Sequence, residues 1–408
     1  MRIDRRWPRR TLRTLLVLVT VLLVTLGGYT GYVAVRRGQR VTLPAPTGRY
    51  PVGRTIADWT DPARTDPLAP RPGLPRELSG WLWYPAAPAP GAPPAPPAPY
   101  APGAWSKLHV GGLPGLGETG FDRIRVHAVA DAPVAAGRFP VVVLEPGLGL
   151  AAPQYTTLAE NLASHGYLVA GVTPTYSANL TVLNGRPVTA TPAGNPQGSD
   201  AAAMRPVDDR LVGVWAADDR FAATRVAALD AAGRFAGHVD AATTVYLGHS
   251  FGGAAALQAC HDDPRCAGAA DLDGTQFGTV VHSGLGKPMM LLAGQGSCIT
   301  GSCRPNGTDE RSERDAARAL LAACTGPVWI YRLHGAAHFN FSDYGAYYLA
   351  APIRSAVGLG SIDGDEALTI TDAYLAAFLD HVARGLPEPL LAGRSSPYPQ
   401  VEVERSAP

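Results

Sequence analysis

Apolar runs alternate with amphipathic stretches through the second half of the chain. Uninterrupted apolar or β-branched runs, typical of strands that are covered on both faces, lie at 140–144, 167–172, 243–247, 267–272, 288–292 and 328–333. Helix-like stretches lie among them, at about 154–164, 210–235, 254–259 and 371–384. Strands that alternate with helices predict an α/β fold, in which helices flank both faces of a mostly parallel, doubly wound sheet.

The pattern upstream of residue 139 is less regular. Residues 55–59 and 78–84 are candidate strands, and the second of them ends at Pro85. Residues 85–102 form a proline- and alanine-rich run without periodicity, which predicts an extended, solvated insertion. Residues 174–207 are polar and predict a long loop.

A third kind of segment opens the chain. Arginines at positions 2, 5, 6, 9, 10 and 13 precede an apolar run from Leu15 to Val35, about the ~20 residues that span a bilayer. Fewer arginines follow the run, so we expect the N-terminus to face the cytoplasm. An uncleaved signal anchor is favoured, and a cleaved export peptide is the alternative. The chain then divides into the signal segment 1–38, a leading segment 39–138 that holds the first strands, and the α/β core 139–408.

The amino-acid composition argues against nucleic-acid binding and indicates the origin of the chain. The chain has 408 residues, 46% of them hydrophobic, and a net charge of +1, so it lacks the global positive field that gathers nucleic acid. All but two of its basic residues are arginine, which together with abundant Gly, Pro and Ala indicates a GC-rich bacterial genome. We therefore expect a bacterial cell-membrane protein with its folded body outside the cytoplasm, or else a secreted one.

Cysteine usage fits an oxidising compartment. Cys260 and Cys266 flank a short polar loop that a disulfide would clamp. Cys298, Cys303 and Cys324 could supply one more bridge and leave one free thiol, and the sequence does not choose the pairing. A zinc site is disfavoured because no Cys-x-x-Cys or His-x₃-His cluster accompanies them, and we expect no metal and no cofactor.

The stretch Gly248-His249-Ser250-Phe251-Gly252-Gly253 carries the strongest chemical signal. It follows the predicted strand 243–247 and precedes a helix-like segment. A strand, a Gly-x-Ser-x-Gly turn and a helix form a nucleophile elbow, which exposes the serine hydroxyl at the edge of the sheet. Ser250 is therefore the candidate nucleophile. The competing interpretation is a glycine-rich turn that only lets a helix pack closely on a strand.

A serine nucleophile needs a histidine to remove its proton and an acid to orient that histidine, and in this fold the chain order is Ser, acid, His. Asp273 follows the strand 267–272, at the sheet edge where such an acid belongs, and Asp271 is the reserve candidate. The next strand, 288–292, is followed by no carboxylate, which removes the rival position.

The candidate histidine is His338, which follows the strand 328–333 in a loop of small residues that can bring the imidazole over the serine. His334 should still lie within that strand and pack in the core. His249, inside the elbow, should pack beside the nucleophile strand rather than accept the proton.

Backbone N–H groups must stabilise the oxyanion. One should come from Phe251, the residue after the nucleophile, and the second from Leu148 in the glycine-containing loop after the strand 140–144. Pro146 in the same loop has no N–H to donate. Glu145 is expected to be a solvated loop carboxylate without a catalytic role.

The chain from about residue 140 to residue 347 resembles the plasma-type platelet-activating factor acetylhydrolases and their bacterial relatives, which are lipases and esterases of the α/β-hydrolase fold. The resemblance rests on the ordered blocks Pro146-Gly147-Leu148-Gly149, Leu162-Ala163-Ser164-His165-Gly166-Tyr167, Gly248 to Gly253, Asp271-Leu272-Asp273 and His338-Phe339-Asn340-Phe341-Ser342-Asp343. The upstream Tyr50-Pro51-Val52-Gly53 and Leu82-Trp83-Tyr84-Pro85 look like the leading strands of that family. The resemblance implies a triad of Ser250, Asp273 and His338, with Leu148 as the second oxyanion donor.

The resemblance also implies a metal-independent enzyme that removes short or oxidised acyl groups from phospholipids or simpler esters. Two departures bear on this. Pro146-Gly147 stands where the family often has His-Gly, and residues 298–306 look like an insertion near the acyl pocket. Two alternatives remain: a cell-envelope acyltransferase or polyester hydrolase with the same triad, and a non-catalytic anchored binding protein on a hydrolase fold.

Overall fold

The computed structural model describes residues 6–87, 95–108, 121–198, 200–346, 353–393 and 397–407. Parts of three sequence features lie outside the described residues: positions 88–94 of the proline- and alanine-rich run, the arginines at positions 2 and 5, and Tyr347 at the end of the family resemblance.

The strands and helices follow one another in an α/β order. The strands are β1 Val41–Thr42, β2 Val52–Thr65, β3 Pro75–Pro85, β4 Ile124–Arg125, β5 Val129–Ala130, β6 Phe139–Glu145, β7 Leu168–Thr173, β8 Thr181–Leu183, β9 Arg186–Val188, β10 Val239–His249, β11 Cys266–Leu272, β12 Met289–Gly294, β13 Val328–Leu333 and β14 Val401–Arg405. The helices are α1 Arg6–Arg37, α2 Thr156–Ser164, α3 Ala201–Ala228, α4 Phe251–Asp262, α5 Val280–Ser283, α6 Thr308–Ala323, α7 Ile353–Ala356 and α8 Gly364–Arg384.

One ten-stranded sheet organises the body. Its order is β14-β13-β12-β11-β10-β6-β7-β3-β2-β5. The six strands from β13 to β7 are parallel, whereas β3 is antiparallel to both of its neighbours and β14 is antiparallel to β13. The fold is thus an α/β hydrolase with a mostly parallel sheet flanked by helices, as the sequence predicts. Strands β2 and β3, from the leading segment, belong to the same sheet as the core.

Helices cover both faces of the sheet because the central strands are apolar on both sides. Every residue of β6, β7, β12 and β13 is buried. On one face the strands pack with α2 and α8, and on the other with α3, α4 and α6. The carboxyl ends of β6, β10, β11 and β13 therefore meet at one edge, where α/β folds place their sites.

The sequence misplaced some elements. The helix expected at 210–235 begins at Ala201, where the Asp200 side chain accepts hydrogen bonds from two backbone N–H groups, and it ends at Ala228. The expected loop 174–207 therefore ends earlier, and it contains the β8–β9 hairpin. Helix α6 and the edge strand β14 were not predicted. The closing helix, expected at 371–384, begins at Gly364.

The N-terminal helix α1 stands apart from this body. Residues Thr11–Tyr32 have a mean hydropathy of 2.0, are long enough to cross a membrane, and are not buried inside the protein. The helix confirms the apolar segment that the sequence predicts. Its length and composition alone also suit a signal sequence.

Candidate active site

Ser250 lies in the tight turn between β10 and α4. Its backbone has φ +57° and ψ −127°, a conformation that residues other than glycine rarely adopt. Its N–H donates to the carbonyl of Leu272 at the end of β11, 2.8 Å away. A Cβ at Gly248 would collide with the backbone of Gly252, and a Cβ at Gly252 would collide with the carbonyls of residues 145 and 146. The glycines of the motif are therefore required by the closeness of the backbone around the serine.

The structure brings the three predicted triad side chains together. His338 Nε2 lies 2.8 Å from Ser250 Oγ, and its Nδ1 lies 2.8 Å from Asp273 Oδ2. Asp273 Oδ1 accepts the backbone N–H of Gly294 at 2.7 Å, so both of its oxygens are fixed. This geometry allows proton transfer from the hydroxyl to the imidazole, with the carboxylate stabilising the resulting imidazolium.

The histidine is held by its own loop. Asn340 Oδ1 accepts the backbone N–H groups of Ala337 and Gly360, at 2.9 and 2.7 Å. Asp343 is buried and accepts from the backbone N–H groups of Thr156 and Thr157 at the start of α2. The imidazole is therefore positioned by fixed backbone on both sides.

Burial and the neighbouring charges act in opposite directions on the pKa values of His338 and Asp273. Burial alone would lower the pKa of His338, but the hydrogen bond to Asp273 and the negative charges of Asp273 and Glu313 raise that pKa above its usual value. Burial alone would raise the pKa of Asp273, but the hydrogen bond from His338 lowers it. Asp273 is thus held as a carboxylate. It is 6% exposed, against 39% for the His338 side chain.

The two expected oxyanion donors, Leu148 and Phe251, line the same cleft as Ser250. Within the described residues, the backbone N–H groups of Leu148 and Phe251 have no hydrogen-bond acceptor in the protein. Phe251 is the first residue of α4, so its N–H belongs to the positive end of that helix. These two groups are available to a substrate oxygen.

A hydrogen-bond chain that the sequence did not reveal joins the oxyanion loop to the histidine loop. The Gly147 N–H donates to Tyr155 Oη at 2.9 Å, and that hydroxyl donates to His249 Nδ1 at 2.7 Å. The Nε2–H of His249 then donates to the carbonyl of His338, 2.8 Å away. Burial and the nearby His338 lower the pKa of His249 to about 3, so its ring is neutral. His249 therefore packs beside the nucleophile strand, as expected.

Asp271 and His334 both lie outside the hydrogen-bonded triad. Asp271 is buried below Asp273 and accepts the Gly274 N–H, so it supports the turn and does not reach His338. His334 is not a core residue. It lies just beyond β13, its side chain is 49% exposed, and its Nε2 is 3.0 Å from a carboxylate oxygen of Glu402 on β14.

Glu145 also differs from expectation, because it is fully buried at the end of β6 rather than solvated. It faces Asp219 of α3, which is equally buried. Burial, together with the negative charge of Asp219, raises the pKa of Glu145 well above its usual value. Burial is likewise the main cause that raises the pKa of Asp219, to about 8. At neutral pH at least one of the two carboxyl groups is therefore protonated.

The cysteines form two disulfides. Cys260 pairs with Cys266 and clamps the polar loop between them, and Cys298 pairs with Cys303, which leaves Cys324 free. The second bridge lies directly after Gly296 and Ser297, which line the cleft. No group of three or more His, Cys, Asp or Glu side chains among the described residues could hold a metal ion.

The cleft at the triad has a volume of about 490 Å³ and is open to solvent. Its lining residues are Leu148, Ser250, Phe251, Asp273, Thr275, Phe277, Gly294, Gly296, Ser297, Glu313, Ala337 and His338. Leu148, Phe251 and Phe277 thus give the cleft apolar and aromatic surface, and α6 contributes Glu313 to it.

Comparison with known proteins gives consistent results. The chain is 29% identical over 385 residues to a probable 1-alkyl-2-acetylglycerophosphocholine esterase of Arthroderma benhamiae, covering 88% of this chain and 92% of that protein. The structure of a ferulic acid esterase from Streptomyces cinnamoneus matches with a TM-score of 0.75 and 30% identity, covering 90% of this chain and 99% of that one. No protein-family model matches the chain.

The fold, the site and both similarities define a serine ester hydrolase of the α/β-hydrolase class. Both similar proteins are esterases, and both align over nearly their whole length. Within this class, the chain is similar to an esterase of the platelet-activating factor acetylhydrolase type.

Proposed function

We propose that the protein hydrolyses carboxylic esters through an acyl-enzyme formed on Ser250. The observation that carries this proposal is the continuous hydrogen-bonded chain from Ser250 Oγ through His338 to Asp273, with 2.8 Å at each step. The chain ends in a carboxylate whose pKa is lowered, as the proposed role requires.

In the proposed reaction, Ser250 Oγ attacks the ester carbonyl while His338 Nε2 takes its proton. The carbonyl oxygen becomes an oxyanion that accepts the N–H groups of Leu148 and Phe251. His338 then gives its proton to the departing alcohol as the C–O bond breaks. A water molecule, deprotonated by His338, attacks the acyl carbon, and the acid product leaves as Ser250 regains its proton.

The substrates we propose are esters with short acyl groups, including short or oxidised acyl groups of phospholipids. The names of the two similar proteins refer to an acetylated glycerophosphocholine and to ferulic acid, which are chemically unlike. Their common element is a carboxylic ester. An open cleft with aromatic walls suits a small acyl group and an alcohol that extends to solvent.

We further propose that α1 anchors the protein in a membrane, with the catalytic body on the outer side; removal of α1 and secretion is the alternative. The exposed apolar helix and the arginines before it support this placement. The two disulfides are of the kind that persists outside the cytoplasm.

The decisive test is Ser250→Ala, assayed on p-nitrophenyl acetate and butyrate. We expect kcat to fall by roughly 10⁴-fold or more, because the nucleophile is lost. A Ser283→Ala variant is the matched control, since that hydroxyl is exposed and bonds only to Thr279 and His261. Turnover of Ser250→Ala at the native rate would refute the proposed nucleophile.

A further inference from the structure

Helix α6 places a carboxylate in the wall of the cleft. Glu313, in the second turn of the helix, lines the cleft together with Ser250 and His338. Burial raises the pKa of Glu313, whereas the nearby Cys298 backbone N–H and Thr275 hydroxyl lower it. Glu313 thus lies close to both the loop that follows Asp273 and the disulfide loop.

No lysine or arginine is among the residues that line the described cleft. The charged groups near Glu313 are Asp273 and His338. The carboxylate of Asp273 is already compensated by His338, whereas Glu313 has no cationic partner in the cleft. The wall that faces an entering substrate therefore carries a carboxyl group with no lysine or arginine beside it among the lining residues.

Two aromatic rings lie in the same cleft. The centroids of Phe251 and Phe277 are 5.7 Å apart, and the far side of Phe251 packs against Trp215. The guanidinium of Arg205 lies over the Phe277 ring, 5.2 Å from its centroid. It also donates a hydrogen bond to the Gln276 carbonyl. Aromatic faces beside a carboxylate favour organic cations, because both attract positive charge.

We propose that Glu313 makes the active site select esters that carry an organic cation, such as a quaternary ammonium group, near the reacting carbonyl. This inference rests on the proposed ester hydrolysis and adds its charge specificity. The carboxylate attracts the cation electrostatically, and Phe251 and Phe277 receive its apolar surface. A free carboxylate at the same position in a substrate would be repelled.

The test compares pairs of esters that differ only in charge. One pair is acetylcholine and the acetate ester in which a tert-butyl group replaces the trimethylammonium group. The other pair places the same two groups at the end of a butyryl chain esterified to p-nitrophenol. For the native protein we expect kcat/KM to be greater for the charged member of at least one pair. In Glu313→Gln that preference should fall by about tenfold, mainly through KM.

The ratio within a pair separates this role from a structural one, because damage to the cleft would slow both members equally. Asp315→Asn is the matched control, since it removes one negative charge from the exposed side of the same helix, next to Arg314. We expect it to leave both ratios unchanged. If Glu313→Gln changes neither ratio while the native protein hydrolyses all four esters, the inference is wrong and the proposed hydrolysis stands. If Ser250→Ala is fully active, the hydrolysis proposal itself fails.

Discussion

Tyr155 connects the oxyanion loop to the histidine loop of the proposed site through hydrogen bonds. Its hydroxyl accepts from Gly147 in the oxyanion loop and donates to His249, whose other nitrogen binds the His338 carbonyl. We infer that this chain fixes the distance between the oxyanion donors and the imidazole. None of its members needs to touch the substrate, so they are positioning residues.

Removing that hydroxyl gives the first prediction. Tyr155→Phe keeps the buried ring but leaves the Gly147 N–H and His249 Nδ1 without their partner. We expect kcat on p-nitrophenyl butyrate to fall by about tenfold with little change in KM, because alignment in the transition state suffers more than substrate binding. Tyr246→Phe is the control, since that hydroxyl bonds to Asp263 near the other end of β10. An unchanged kcat would show that the chain has no positioning role.

The buried pair Glu145 and Asp219 predicts how stability depends on pH. The ordinary pKa of an aspartate is 3.8, and burial raises that of Asp219 to about 8. Between these values the folded protein binds more protons than the unfolded chain. This contribution to stability is therefore complete below about pH 4 and is lost as the pH rises toward about 8.

Asp219→Asn should flatten this dependence, because it removes one of the two groups that hold a proton only in the folded state. In urea unfolding between pH 5 and pH 8, we expect the decline in unfolding free energy to become shallower by up to about 1.4 kcal/mol per pH unit. Asp315→Asn, an exposed carboxylate next to Arg314, should leave the slope unchanged. Equal slopes for the native protein and Asp219→Asn would show that Asp219 does not hold a proton in the folded state.

The sequence could not have shown this pair. A glutamate at a strand end is ordinarily solvated because burying a charged carboxyl is costly. That cost is avoided here by protonation, and the second carboxyl comes from α3, far along the chain. In contrast, the sequence can point to Ser250, Asp273 and His338 as the proposed triad because each follows a recognisable strand and their order along the chain is a property of the fold.

Elements differ in how clearly their sequence predicts them. Most of the central strands were located to within one or two residues, since burial on both faces requires a continuous apolar run, but β10 begins at Val239, four residues before its expected start. Helix α6 was missed because few of its residues are fully buried. Its buried side consists only of Ala316, Ala317 and Leu320, and the rest of the helix is rich in charge. The helix that supplies Glu313 thus packs on the body through a narrow apolar face, which is hard to recognise in the sequence.

Helix α3 contains a glycine that nothing in the structure requires. Gly213 is exposed in the middle of the helix, and a Cβ at this position would meet no atom within 4 Å. Gly213→Ala should therefore raise the free energy of unfolding by about 0.5–1 kcal/mol, because alanine loses less backbone entropy when the helix forms. Chemical denaturation measures this.

The corresponding control for that prediction is Gly233→Ala, in the turn after the same helix. A side chain there also has free space, but the backbone has φ +79°, so alanine is strained and should destabilise the protein. If both substitutions stabilise the protein, or if neither does, then backbone conformation is not what decides the effect of alanine at these two positions.

At the scale of the whole molecule, the exposed helix α1 is separate from the esterase body. We expect a variant lacking residues 1–38 to hydrolyse p-nitrophenyl butyrate with a kcat within about twofold of the full chain, because Thr11–Tyr32 buries nothing against the body. The full chain should sediment with membranes or lipid vesicles, and the variant should not. Loss of folding in the shortened protein, or equal sedimentation of both, would contradict the anchor proposal.

Strand β14 affects the order in which the parts of the proposed site can form during folding. It covers the outer edge of β13, and its residues hold the start of the histidine loop: the His334 N–H donates to the Gln400 carbonyl, and Glu402 pairs with the His334 ring. These supporting residues follow the nucleophile far along the chain. The nucleophile turn can therefore form before its base is supported, so hydrolytic activity should appear only after β14 has paired with β13.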